Sequence, residues 1–270
     1  MTFNRIAVWV ALSALLSVSP ASAEKLTICT AVADAETGKL LKQDGACDTR
    51  ATAASTFKVA ISLMGYDAGI LKDAHTPALP FEKGYPDWIP AWRSTTDPSK
   101  WMKESVVWYS QQVTKALGRE RFARYVREFR YGNQDVSGDP AKKNGLTHAW
   151  LGTSLEITPF EQLDFLQKIV QRKLPISAHA YETTSALTDL GVQPNGWRVH
   201  GKTGTGALKK SGAVTANSQF WGWFVGWATK GDRTIVFARL TKDTKRPSVP
   251  AGPAAREAVL RDLFSSPGEF

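Results

Sequence analysis

The chain has 270 residues, of which 43% are hydrophobic and 22% charged, with 10 tryptophans. That is enough apolar material for a sizeable core, and the balance excludes a disordered chain. The formal charge is +9. Its lysines and arginines read as scattered, the longest cluster being Lys209-Lys210, which argues against nucleic acid as a partner and for solubility with a mild pull on anionic ligands.

Residues 1–23 read as a secretion leader, with Arg5 as its charge, an apolar run over 6–18 and Ala21-Ser22-Ala23 as the cleavage site. The run is shorter than the ~20 residues of a spanning helix. The expected mature chain therefore starts at Glu24, without a stable membrane anchor, in the bacterial periplasm; the alternative is an uncleaved anchor. Residues 24–270 are expected to form a single domain, with a sheet lobe over about 24–60 and 175–270 and a helical lobe over about 61–174.

Residues 26–33 are β-rich, 34–38 are turn chemistry and 39–42 return as a strand. Cys29 and Cys47 flank this hairpin, and an even count in an exported chain invites a disulfide. Two buried thiols are the alternative. Neither the cysteines nor His75, His148, His179 and His200 have metal-ligand spacing. Ser55 opens a helical pattern with Val59, Ile61, Leu63 and Met64 on its apolar side and Gly65 at its end. Five prolines make 73–98 mostly loop. Residues 100–117 read as one helix, and 119–129 as a shorter one ending near Gly132. After a loop over 138–144, Thr158-Pro159 with Glu161 predicts a capped helix start, and 160–170 its body. Residues 198–203, 219–229 and 234–240 are aromatic and β-branched, with Gly231-Asp232 as a hairpin turn. Residues 254–264 close as a helix. Strands at both ends around a helical middle predict an α/β (α+β) fold, one antiparallel sheet built from both termini with an inserted helical lobe.

Ser55-Thr56-Phe57-Lys58 is S-x-x-K. At a helix start, positions i and i+3 share a face, so the lysine amine reaches the serine hydroxyl. A serine is a weak nucleophile until a base takes its proton, and an ammonium has no lone pair with which to take it. A second copy, Ser22-Ala23-Glu24-Lys25, straddles the cleavage site and is chance. Lys202-Thr203-Gly204 sits on a predicted strand, where the lysine holds charge near an incoming carboxylate, the threonine donates to it and the glycine leaves room for a ligand. Ser105-Val106-Val107 and Tyr131-Gly132-Asn133 lie in the helical middle.

Taken in this order, the motifs resemble those of the penicillin-recognising serine enzymes, for which S-x-x-K with K-T-G is a signature. The Ser-Val-Val and Tyr-Gly-Asn triplets, and Trp150-Leu151 with Ser154-Leu155, are similar to class D β-lactamases over nearly the whole mature chain. The resemblance implies the serine β-lactamase/transpeptidase-like fold, small-molecule β-lactam substrates, and hydrolysis through a Ser55 acyl-enzyme that confers antibiotic resistance. It implies that Lys58 reacts with carbon dioxide to N6-carboxylysine and that no other cofactor is used. It further implies that Val107 and Leu151 supply apolar surroundings, that the Trp150 N–H holds the modified lysine, and that Ser105 relays a proton to the leaving nitrogen. The backbone N–H groups of Ser55 and Thr205 would form the oxyanion hole, and Lys202 and Thr203 would face the substrate carboxylate. Tyr131-Gly132-Asn133 looks structural. One departure stands out: the arginine that usually grips the carboxylate before the last helix falls near Gly252, and Arg246 or Arg256 would have to replace it. A β-lactam sensor domain and a transpeptidase or carboxypeptidase are the alternatives on this fold.

Overall fold

The structure, a computed structural model, describes residues 25–207, 219–243 and 248–266. The leader, the Ser22 copy of the motif, Lys209-Lys210 and Arg246 lie outside the described residues. Six antiparallel strands form the sheet, in the order β2 (Leu40–Gly45), β1 (Lys25–Asp34), β8 (Arg233–Asp243), β7 (Phe220–Lys230), β6 (Arg198–Ala207), β5 (Asp189–Val192). The first strand thus pairs with the last, as strands at both ends predicted. The Cys29–Cys47 disulfide is formed. It follows from the hairpin register, which sets Cys29 opposite Gly45, two residues before Cys47.

The central strand β7 is apolar on both sides because both sheet faces are covered, and its side chains alternate with the pleat. Trp221, Trp223, Val225 and Trp227 face the main core with the helical layer. Phe224 and Ala228 face a second core closed by α8 (Ala251–Phe264) through Ala255, Val259 and Leu263. This terminal helix begins before the predicted residue 254, since Pro253 falls in its first turn, where no intrahelical donor is needed.

The helical layer corrects two expectations and adds a helix that the sequence did not suggest. The helix after Ser55, α1 (Lys58–Asp67), does not end at Gly65; it runs on to Asp67, with the Leu71 side chain packed where a Gly65 Cβ would lie. Residues 100–117 are two helices, α2 (Pro98–Glu104) and α3 (Val107–Leu117), broken by Ser105 in the left-handed region at φ 60° and by Val106 in extended conformation. Asp97 and Pro98 start α2 as an N-cap and first-turn proline, with the Lys100 N–H donating to Asp97 Oδ1 at 2.8 Å. An unpredicted helix, α7 (Ala178–Thr188), packs on α1, where Ser62 and Thr184 share a buried hydrogen bond of 2.8 Å.

α4 (Arg119–Glu128) and α6 (Pro159–Val170) fall where predicted. In α6 the capping box is complete: Glu161 N–H donates to Thr158 Oγ1 at 3.1 Å, and Thr158 N–H to Glu161 Oε2 at 2.9 Å. A four-residue helix, α5 (Gly145–His148), and a two-stranded ladder of β3 (Ala51–Thr52) with β4 (Glu156–Ile157) complete the layer. No helix among the described residues is long and apolar enough to cross a membrane.

Candidate active site

Ser55 lies in a 3-10 turn, Ala54–Phe57, that runs straight into α1. The turn is tied down from several directions. Ala54 N–H donates to Trp150 O at 2.9 Å, Ala53 N–H to Leu155 O at 3.3 Å, and Gln162 Nε2 to Thr56 Oγ1 at 3.1 Å. Ala54 holds φ at 50°, a conformation unfavourable for a residue with a Cβ and maintained here by those bonds. The outcome is a rigid Ser55 with Lys58 Nζ 2.9 Å from its Oγ.

Lys58 is wholly buried. Desolvation holds its amine well below the ordinary lysine range, and the nearby Lys202 charge pushes the same way. Burial thus favours its uncharged form beside Ser55. Trp150 is fully buried as well, its ring 5.5 Å from Phe57 and 6.2 Å from Phe122. Val107 and half-buried Leu151 belong to the same apolar cluster. The Trp150 Nε1 donor is buried and has no acceptor among the described residues. Such an orphan costs about 1–3 kcal/mol. A buried amine without a carboxylate partner and an indole N–H without an acceptor fit a carboxylate carried on Lys58.

The second half of the site comes from β6 and from the break between α2 and α3. Lys202 Nζ donates to Ser105 Oγ at 3.0 Å and to Thr203 O at 3.2 Å. Burial, with the Arg256 charge adding, pulls Lys202 down to about 7. Gly204 packs against the nucleophile's turn, where a Cβ would lie 3.1 Å from Ala53 O and from Thr56 Cγ2. The glycine thus makes room for that turn.

Thr205 Oγ1 accepts the Gly252 N–H at 2.9 Å. A side chain at 252 is excluded, since its Cβ would stand 2.6 Å from Gly204 O. One turn further along α8, half-buried Arg256 lines a cavity of about 470 Å3 with Lys202 and Thr203. It has no ion pair among the described residues. Of the two candidate arginines, Arg256 is the one among the described residues.

Residues 28–265 match the family model of the penicillin binding protein transpeptidase domain. The chain is 42% identical to β-lactamase OXA-9 of Klebsiella pneumoniae over 257 residues, 93% of either chain. It is 38% identical to β-lactamase OXA-1 of Escherichia coli over 218 residues, 79% of this chain and 75% of that one. The crystal structure of OXA-427, a class D β-lactamase, superposes with a TM-score of 0.81 at 46% identity, covering 87% of this chain and 96% of that one. The chain belongs to the class D β-lactamases.

In this β-lactamase the Tyr131-Gly132-Asn133 turn is a fastening beside the site. The Tyr131 hydroxyl accepts from Gln162 Nε2 at 3.3 Å, and Asn133 binds the β4 backbone through Glu156. Sequence reasoning did not single out Phe57, Phe122 or Gln162, which wall and brace the site. Phe57 had a signal in its place inside S-x-x-K, whereas the other two are brought in by packing alone. His200 lies beyond the site, stacked on Trp227 at 5.0 Å, where burial lowers its pKa. Among the described residues no His, Cys, Asp or Glu cluster could hold a metal.

Proposed function

We propose that this class D β-lactamase opens the amide of β-lactam antibiotics through a Ser55 acyl-enzyme, works in the bacterial periplasm and confers resistance. The observation that supports it is the Ser55 Oγ–Lys58 Nζ pair at 2.9 Å, with the lysine wholly buried. Ser55 Oγ attacks the ring carbonyl and its proton passes to the Lys58 side. The backbone N–H groups of Ser55 and Thr205 hold the developing oxyanion. The ring C–N bond breaks, and Ser105 gives the nitrogen a proton that Lys202, 3.0 Å away, replaces. Lys202, Thr203 and Arg256 take the substrate carboxylate.

Carboxylated by carbon dioxide, Lys58 would supply an anionic base for acylation and for deacylation by water. Trp150 Nε1 would hold that group, with Val107 and Leu151 keeping bulk water from the amine. The substrates are small molecules, and the reading needs neither nucleic acid nor a membrane anchor.

The test is nitrocefin hydrolysis by the purified mature chain, together with mass spectrometry of Ser55→Ala after exposure to a slow β-lactam. Repeated turnover is expected from the native protein, and no adduct on the variant. A single stoichiometric burst would mark a sensor or transpeptidase instead, and an acyl adduct on Ser55→Ala would remove the nucleophile assignment.

A further inference from the structure

Against the scattered basic residues of the rest of the chain, α4 carries a local row of arginines. Its inner face is apolar: Phe122 packs on Phe57 and Trp150 at 6.0 and 6.2 Å, and the Tyr125 hydroxyl donates to Asp67 at 2.6 Å. Its outer face carries Arg121, Arg124 and Arg127, three residues apart and all exposed, with Arg119 at the start and Arg130 just past the end. Residues three apart are neighbours on a helix, so these guanidinium groups form a row. Only Glu120 and Glu128 oppose them in this stretch, and the one ion pair formed there is Arg124 with Glu128 at 3.6 Å. No large apolar side chain is exposed between 119 and 130.

We propose that this arginine face docks the protein on an anionic phospholipid surface. Guanidinium forks match phosphate oxygens in bidentate fashion. A protein partner would be expected to seat a desolvated aromatic or aliphatic anchor at the centre of the contact, and this face has none. A bilayer needs no such anchor, because lipid headgroups move to meet the charges. The face points away from Ser55, since its reverse lies against Phe57 and Trp150, so a docked molecule keeps its site open. The inference does not depend on the catalytic reading.

The experiment is co-sedimentation of the mature chain with vesicles of phosphatidylglycerol and phosphatidylcholine, against phosphatidylcholine alone. Each arginine near an anionic surface contributes about fivefold in partition, so Arg121→Gln/Arg124→Gln/Arg127→Gln should bind roughly a hundredfold more weakly. A control, Lys39→Gln/Lys83→Gln/Lys173→Gln, removes the same charge from exposed sites elsewhere and should keep most of the binding. Nitrocefin hydrolysis should be unchanged in both, and salt of several hundred millimolar should release the native chain. Equal losses in the two triple variants would reduce the effect to net charge and overturn the proposal. Binding to phosphatidylcholine alone would also overturn it. So would an absence of vesicle binding alongside arginine-dependent retention on immobilised polyglutamate, which would assign the face to an acidic protein.

Discussion

Replacing Trp150 by Phe tests the chemistry at Lys58 most directly, because it removes one N–H and keeps much of the ring. A hydrogen bond to a charged acceptor is worth about 1.5–3 kcal/mol. At about 1.36 kcal/mol per tenfold, the variant should need roughly 10 to 150 times more bicarbonate for half-maximal activity. The fold should survive. The smaller ring costs about 1–3 kcal/mol in lost packing, while removing an unsatisfied buried donor returns about 1–3 kcal/mol. Phe57 and Phe122, now 5.5 and 6.2 Å from the indole, remain to cover the gap.

The sign with pH follows from the buried amine. Burial holds Lys58 well below the ordinary lysine range, which favours the neutral amine that carbon dioxide must attack, and protonation removes that amine as pH falls. The assay is nitrocefin progress curves at fixed, mildly acidic pH under a bicarbonate titration, with a denaturation curve for each protein. Native activity should fall on acidification and recover with bicarbonate, and Trp150→Phe should recover only at higher bicarbonate. The same half-saturating bicarbonate in both proteins would refute the role given to the indole. Native curves indifferent to bicarbonate would refute carboxylation itself and leave Lys58 acting as a neutral amine.

Three further outcomes are expected. Lys202 sheds its proton at about 7 in the folded chain but near ~10.4 in the unfolded one. Between those values the unfolded state binds more protons, so stability should rise with pH by up to about 1.4 kcal/mol per unit from this group. Lys202→Met should lower that slope by about one proton in denaturation curves taken from pH 7 upward, and an unchanged slope would show that Lys202 stays charged. Arg256→Gln should raise KM for a penicillin about 5- to 30-fold, the loss of one charge-assisted contact, and leave the corresponding methyl ester unaffected; equal effects on acid and ester would exclude the carboxylate contact. Cys29→Ala/Cys47→Ala opens a link between residues 18 apart and should cost about 3 kcal/mol in urea unfolding, with kcat at 25 °C retained.

Features governed by neighbours in the chain are legible in the amino-acid sequence. The Thr158–Glu161 capping box, the Gly231-Asp232 turn between β7 and β8, and the i, i+3 reach from Lys58 to Ser55 depend on a few consecutive backbone angles, and all three are present. The break at Ser105 is not legible there. Apolar residues continue across 100–117 at helical spacing, and the chain leaves the helix only where Ser105, at φ 60°, meets Lys202, 97 residues away. α7 escapes notice because its Thr-rich stretch carries a weak apolar stripe and its place depends on α1.

The motifs by themselves singled out the candidate groups: a serine with a lysine one turn on, a second serine, and a lysine-threonine-glycine strand. Tertiary structure alone decided the state and company of those groups. Lys58 is wholly buried, and the desolvation that lowers its proton affinity belongs to the whole packed environment. Gly204 is required by the turn of Ser55, a contact between segments far apart in the chain. Arg256 comes to line a cavity with Lys202 only through the packing of α8 on the sheet, and Gly252, one turn before it, lies too close to the Gly204 carbonyl to carry any side chain. Spacing along a chain is set by local geometry, whereas burial, and the proton affinity it controls, is set by segments that meet only when the sheet closes.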